Sequence, residues 1–313
     1  MIDYKILNNN LSEYLEDATL DDFKFIKSLN DIALKSRVNQ KMLKYNEKID
    51  LDYNVSLAYT FFKYISDDYA CYFEQRLNDG TIRFSNQYLI GQSYYDGENR
   101  KRVVEIPITK TIEDAFVMVH EVLHDMNLEP NFNTVDRMLY TETISMLGEI
   151  LFEEFLIKYN LHAKDGKKNI HNMFASVSTM AESNDFDLNL IGNFISNGYV
   201  DINCFNRLCS NYNSDIIEET IESLINNSLL QLEINQKYII GSMLSCYMHD
   251  RIKNNPKYLS EFIETNSMMT SNFFESLIYY LDLDIEDNSD NLLFTKKSLK
   301  ILEKSFKKEI KNR

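Results

Sequence analysis

Two histidines four residues apart, with a glutamate directly after the first, give this chain its clearest chemical signal: His120-Glu121-Val122-Leu123-His124. On an α-helix, residues i and i+4 share a face, so both imidazoles can reach one metal ion. Glu121 then lies about 100° round the helix. From there its carboxylate can take a proton from an activated water without ligating the metal. A catalytic zinc takes three protein ligands and keeps a fourth position open. A third histidine at the usual downstream spacing is excluded, because Asn127 and Pro130 occupy those positions. A carboxylate is the alternative, and Glu142 and Glu149 both offer one. They stand two helical turns apart on one face, so either could ligate while the other steadies a histidine from behind. Asp125, beside His124, is a further group able to orient an imidazole. His162, His171 and His249 read as surface or internally satisfied histidines.

These residues need two helices to carry them. Thr111 and Asp114 form a capping-box pattern ahead of the apolar run Ala115 to His124, predicting a helix that ends at Asn127 and Pro130. A second helix, about Val135 to Tyr159, carries Glu142 and Glu149. Upstream, the pairs Asp79-Gly80 and Asp96-Gly97 punctuate strand-like runs such as Thr81 to Phe84 and Val103 to Ile106. This predicts a small meander of about four strands. Residues 11–67 show apolar spacing of three and four, predicting two or three helices. Beyond Tyr159 the pattern stays helical, with breaks near Asp165-Gly166, Ser183 to Asp187, Gly198, Asn211 to Ser214 and Asn254 to Pro256. The acidic run from Asp282 to Asp290 lacks the glycine of a calcium loop and reads as a linker. Leu299, Ile301, Leu302, Phe306 and Ile310 make the basic C-terminus a docked amphipathic helix.

Composition sets the outer limits. Of 313 residues, 44% are hydrophobic and 26% charged, the balance of an ordinary globular protein. Lys and Arg total 33 against 48 Asp and Glu, a net −15, which disfavours nucleic acid and anionic membranes as partners. Only 3 Pro and 8 Gly interrupt the chain, favouring long helices. Of the four cysteines only Cys204 and Cys209 lie close together; they lack metal-binding or redox spacing and read as small buried hydrophobes. With neither a signal peptide nor an apolar span in view, a cytoplasmic location is expected. The expected layout is an N-terminal helical segment (1–70), the sheet plus motif helix (71–134), a helical lobe with the third ligand and cleft wall (135–294), and a basic C-terminal helix (295–313). All four are parts of one catalytic domain.

The motif and its surroundings resemble the oligoendopeptidase F branch of the thimet oligopeptidase-like zinc peptidases, in a shortened form. That family runs from a strand through a Thr-rich turn and Asp into His-Glu-x-Gly-His, followed by Glu-x-x-Ser-x-x-x-Glu. Here the same order reads Ile106 to Asp114, His120 to His124, then Glu142, Ser145 and Glu149. The resemblance implies a mainly α, α+β zincin-like fold, with long helices around a metal cleft and one small sheet. It implies one Zn2+ held by His120, His124 and Glu142, with Glu149 behind a histidine. Tyr238-Ile239-Ile240-Gly241 is similar to the family's tyrosine segment, which implies that Tyr238 bonds the oxyanion. Residues 266–284 are similar to its closing helix and turn. Leu123 replaces the motif glycine, and Asn127 stands where the family often has a histidine. Ile234 and Gln236 replace tyrosines. The part of the family's length not matched is mostly the N-terminal lobe that roofs its channel.

The expected activity is hydrolysis of short peptides by zinc and Glu121, with an extended substrate added as a strand along Val103 to Ile108. Two other readings fit these residues. One is a zinc hydrolase for a single dedicated substrate. The other is a non-catalytic zincin-like protein that binds a peptide or partner. The oligomeric state is left open.

Overall fold

With few prolines and glycines to interrupt it, most of the chain is helical. The computed structural model describes residues 3–17, 20–36, 38–45, 47–97, 99, 101–127, 135–212, 214, 217–218, 221, 230–254, 281–283, 285–288 and 291–311. Four helices come first: α1 (Tyr4–Asp17), α2 (Leu20–Lys35), α3 (Leu51–Ile65) and α4 (Asp67–Asn78). Three strands follow, β1 (Ile82–Ser85), β2 (Gln92–Asp96) and β3 (Lys101–Pro107), and then the motif helix α5 (Glu113–Asn127). The rest comprises α6 (Val135–Lys158), α7 (Ala163–Asn197), α8 (Ile202–Cys209), α9 (Leu230–Asn254), β4 (Ile285–Asn288), β5 (Asn291–Phe294) and α10 (Lys296–Lys311). No helix among the described residues is long and apolar enough to cross a membrane.

The sheet has three strands in the order β1-β3-β2 and is mixed, not a meander. Asp96-Gly97 does turn a hairpin, with β2 antiparallel to β3. Asp79-Gly80 turns a helix instead: Asp79 caps α4, and Gly80 takes a left-handed φ of 72° that leads into β1. Strand β1 then pairs parallel with β3, with Ile82 opposite Val104. Val103 to Ile106 therefore lies in the central strand, paired with β1 on one edge and β2 on the other, and cannot be the free edge expected for a substrate. The open edges belong to β1 and β2.

Helix α7 runs 35 residues without the break expected at Ser183 to Asp187. Those polar residues face the interior rather than ending the helix; Asn184 accepts a hydrogen bond from Asn235 of α9 at 2.9 Å. The helix stops at Gly198, whose φ is 77° and whose N–H returns to Phe194. Within the acidic run, Ile285–Asn288 is not a linker but strand β4, antiparallel to β5. Helix α6 is buried on nearly every side from Glu142 to Leu156, so it is the central strut of the molecule. The main hydrophobic cluster gathers residues from α2 through α6, α7, α9 and α10 around it. A second cluster joins α1 and α8 to the far end of α7. The C-terminal helix α10 docks through Leu302 and Phe306, as its pattern predicts.

Candidate metal centre

The start of α5 is tied to the sheet. Asp114 is buried, and its carboxylate accepts the backbone N–H of Thr109 at 2.8 Å, the Thr109 hydroxyl at 2.7 Å and the N–H of Lys110 at 3.1 Å. Thr111 accepts the N–H of Glu113 at 3.3 Å. The expected reciprocal Thr111–Asp114 box is not formed; Thr111 caps Glu113, while Asp114 reaches further back and fixes the end of β3 against the helix.

One and two turns on, His120 and His124 project together. Their Nε2 atoms lie 3.1 Å apart, and Oε2 of Glu142 on α6 lies 3.2 Å from each. Three donor atoms so arranged form a nearly equilateral triangle. Ligands of a tetrahedral zinc at about 2.0–2.1 Å are spaced about 3.3 Å apart. A cation placed between two facing imidazole nitrogens and a carboxylate oxygen would take a lone pair from all three at once. His120, His124 and Glu142 are therefore a group that could hold a metal ion.

Glu149, seven residues from Glu142, reaches the other side of the same imidazole. Its Oε1 lies 2.7 Å from Nδ1 of His120. A carboxylate can only accept, so Nδ1 donates and the Nε2 lone pair is left for the metal side. Asn169 of α7 donates to Glu149 Oε2 at 2.9 Å, and the Tyr45 hydroxyl donates to Asn169 at 2.7 Å. Asn172, one turn along α7, binds both backbone groups of Leu43 and so holds the segment that carries Tyr45.

On its other side, Glu142 meets Lys237 of α9, Oε1 to Nζ at 2.7 Å. Burial alone would raise the Glu142 pKa, but the imidazoles of His124 and His120 hold it well below the usual carboxylate range. For His120, burial pulls downward and the carboxylates of Glu142 and Glu149 override it, so its pKa is raised. Two helical glycines permit these approaches. A Cβ on Gly241 would stand 2.6 Å from Cβ of Glu142, and one on Gly148 would stand 2.1 Å from Cδ1 of Leu123. Leu123, in the position of the family's motif glycine, is thus accommodated by a glycine on the facing helix.

Glu121 is 7% exposed and borders a cavity of about 490 Å³ together with His120 and Tyr238. Gly91, just before β2, passes so close that a Cβ there would lie 3.0 Å from Oε1 of Glu121. Ser93 of β2 donates to the Glu121 carbonyl at 2.7 Å. Tyr238 is half-buried, with Lys237 Nζ 4.8 Å from its ring centre. Burial, with the charges of Glu142 and Glu121, pushes its phenol above the usual value, so the hydroxyl keeps its proton.

Asp125 is drawn elsewhere. Tyr72 donates to it at 2.6 Å, Arg76 pairs with it at 3.2 Å and Arg102 at 3.8 Å, which ties α4 and β3 to the end of α5. His162 meets Glu47, His171 the carbonyl of Lys41, and His249 lies between Glu154 and Glu309, so each of the three is engaged away from the cluster. Residues 266–280 and Asp284, expected to close the cleft, lie outside the described residues, as do Pro130 and the side chains of Asn127 and Ile234. Gln236 is buried in α9. Lys237, Asn169, Tyr45 and Gly91 were not singled out from the sequence. Gly241 carried a signal, being a lone glycine within a helix three residues after Tyr238.

No family model matches the sequence, and no curated protein matches it. Solved structures do match in fold. PZ peptidase A, determined with an inhibitor, aligns with 99% of this chain and 58% of its own at a TM-score of 0.57 and 11% identity. A candidate oligoendopeptidase F aligns with 100% of this chain and 59% of its own, at 0.59 and 11%. Another, from Bacillus anthracis str. Ames, gives 99% and 57%, at 0.53 and 12%. The chain therefore has their zincin-like fold and spans a little under three-fifths of their length.

Proposed function

We propose that this chain is a zinc-dependent metallopeptidase that hydrolyses the peptide bonds of short peptides. The observation that carries the reading is the triangle of Nε2, Nε2 and Oε2 atoms from His120, His124 and Glu142, with Glu121 on the adjoining cavity wall. In this reading the three residues hold one Zn2+, which when bound supplies a Lewis acid and lowers the pKa of water. The other tasks fall to the chain. Glu121 removes a proton from the attacking water and returns it to the leaving amine. The Tyr238 hydroxyl donates to the carbonyl oxygen as negative charge builds there. Glu149, backed by Asn169 and Tyr45, orients His120. Asp125, clamped by Tyr72 and Arg76, steadies the helix end that bears His124. An extended peptide adds along the open edge of β2, which Gly91 brings against Glu121. Residues 1–313 act as one catalytic domain, a view supported by the main hydrophobic cluster running from α2 to α10.

The test is mass spectrometry of a diverse pool of short peptides incubated with zinc-loaded wild type or Glu121→Gln. Wild type should cleave and the variant should not, with zinc content equal. Equal cleavage by both would remove Glu121 from the mechanism. No cleavage by wild type would move the reading to a dedicated substrate or to binding without catalysis.

A further inference from the structure

Glu113 stands seven residues before His120, two turns down the same face of α5 and about 10 Å away along the axis. Phe116 and Val117 lie between them, and all four side chains border the 490 Å³ cavity. Met42, Met146, Met173 and Met180 also line it. Thioether chains adapt to a guest of variable shape. The cavity therefore offers a stretch of apolar wall between two carboxylate-bearing regions, the candidate metal group on one side and Glu113 two helical turns away.

The carboxylates on this slot are not equivalent. Glu149 is committed to His120 and Asn169. Glu121 lies beside the metal group. Glu113 is half-buried; among the described residues it makes no ion pair, and no lysine or arginine borders the cavity. Burial, with Asp114 and Glu149 nearby, pushes its pKa upward, as expected of an anion without a counter-charge.

We infer that this slot receives one side chain of the peptide, beside the bond to be cut, and selects a long one with a cationic end, arginine or lysine. The inference rests on the peptide-binding part of the proposal above. The four-carbon stem of a lysine, or the comparable stem of an arginine, lies along Phe116, Val117 and the methionines while its head pairs with Glu113. An uncharged guest of the same length fills the wall but desolvates Glu113 without a partner. An acidic guest meets Glu113 and Glu121 with like charge.

The test measures binding apart from turnover. Calorimetry on zinc-loaded Glu121→Gln would use N-acetylated pentapeptides that differ at one position, carrying arginine, lysine, norleucine or glutamate. Arginine and lysine peptides should bind roughly 10- to 100-fold tighter than norleucine, the gain of a charge-assisted hydrogen bond, with glutamate weakest. Adding Glu113→Gln should shrink that ratio to within about threefold, and Glu113→Lys should turn the preference towards glutamate. Equal binding of arginine and norleucine peptides, or no binding of any, overturns the inference. So does binding that needs a free amino terminus whatever the side chain, because the slot would then hold the peptide's own ammonium. A cationic preference with no cleavage by wild type would sink the hydrolytic reading and leave the slot standing; cleavage without the preference would do the reverse.

Discussion

Gly241 and Glu142 cross so closely that a methyl group on the glycine would stand 2.6 Å from Cβ of Glu142 and 3.0 Å from its carbonyl carbon. The backbone of α9 therefore sets the height of Glu142 on α6, and Lys237 and Tyr238 follow from the same crossing. Gly241→Ala should force the helices apart. Overpacking of about 1–3 kcal/mol exceeds the roughly 1 kcal/mol of helix propensity that alanine returns. A lower melting temperature and zinc binding weakened by about tenfold or more are expected. A variant matching wild type in a chelator competition would show that this crossing does not position the ligand.

Glu149 reaches the imidazole face opposite Glu142, and its own second oxygen is held by Asn169. Glu149→Ala should cost about 10- to 100-fold in zinc affinity while the fold persists. Asn169→Ala should cost less, since Glu149 would keep its bond to His120. If zinc affinity is unchanged in both, the orienting role is wrong.

The part of this centre that follows helix geometry was legible in the residues. The spacing of His120 and His124 permits one outcome on a helix, and the capping pattern at Thr111 and Asp114 located its start. Glu142 and Glu149 could not be ranked by spacing, because two turns apart they share a face. Their roles separate only once α6 is seen to cross α5 with Glu142 at Nε2 and Glu149 at Nδ1 of the same ring. Lys237, Asn169 and Tyr45 come from helices and a loop remote in sequence, where a lysine, an asparagine and a tyrosine carry no local mark. The sheet failed for the same reason: β1 pairs in parallel with β3, skipping β2, which lies between them in sequence, and the nearby Asp79-Gly80 turn looks alike whether it ends a helix or joins two strands.

His249 ties the site's two long helices to the C-terminus. It is buried in α9, 3.0 Å from Glu154 of α6 and 3.1 Å from Glu309 of α10. Burial favours the neutral ring, but the two carboxylates raise its pKa above the ordinary 6.5. Glu154 is lowered from 4.5 to about 2, against its own burial, by His249 and Lys253. The His249 contribution is complete below its unfolded value and is lost as pH rises through the raised folded value. That of Glu154 is present above about 4.5 and lost as pH falls towards 2. The melting-temperature gap between wild type and His249→Gln should therefore be widest between about pH 4.5 and 6.5 and narrow on the alkaline side. A gap that is flat or widens with alkali would mean that the ring is not charged in the fold.

The central claim is that His120, His124 and Glu142 form one metal centre, and zinc stoichiometry tests it most directly. Elemental analysis after dialysis against limiting zinc should find one ion per wild-type chain. His124→Ala and Glu142→Ala should each hold almost none while keeping wild-type helical content. Zinc retained by both variants, or absent from a folded wild type, would contradict the claim.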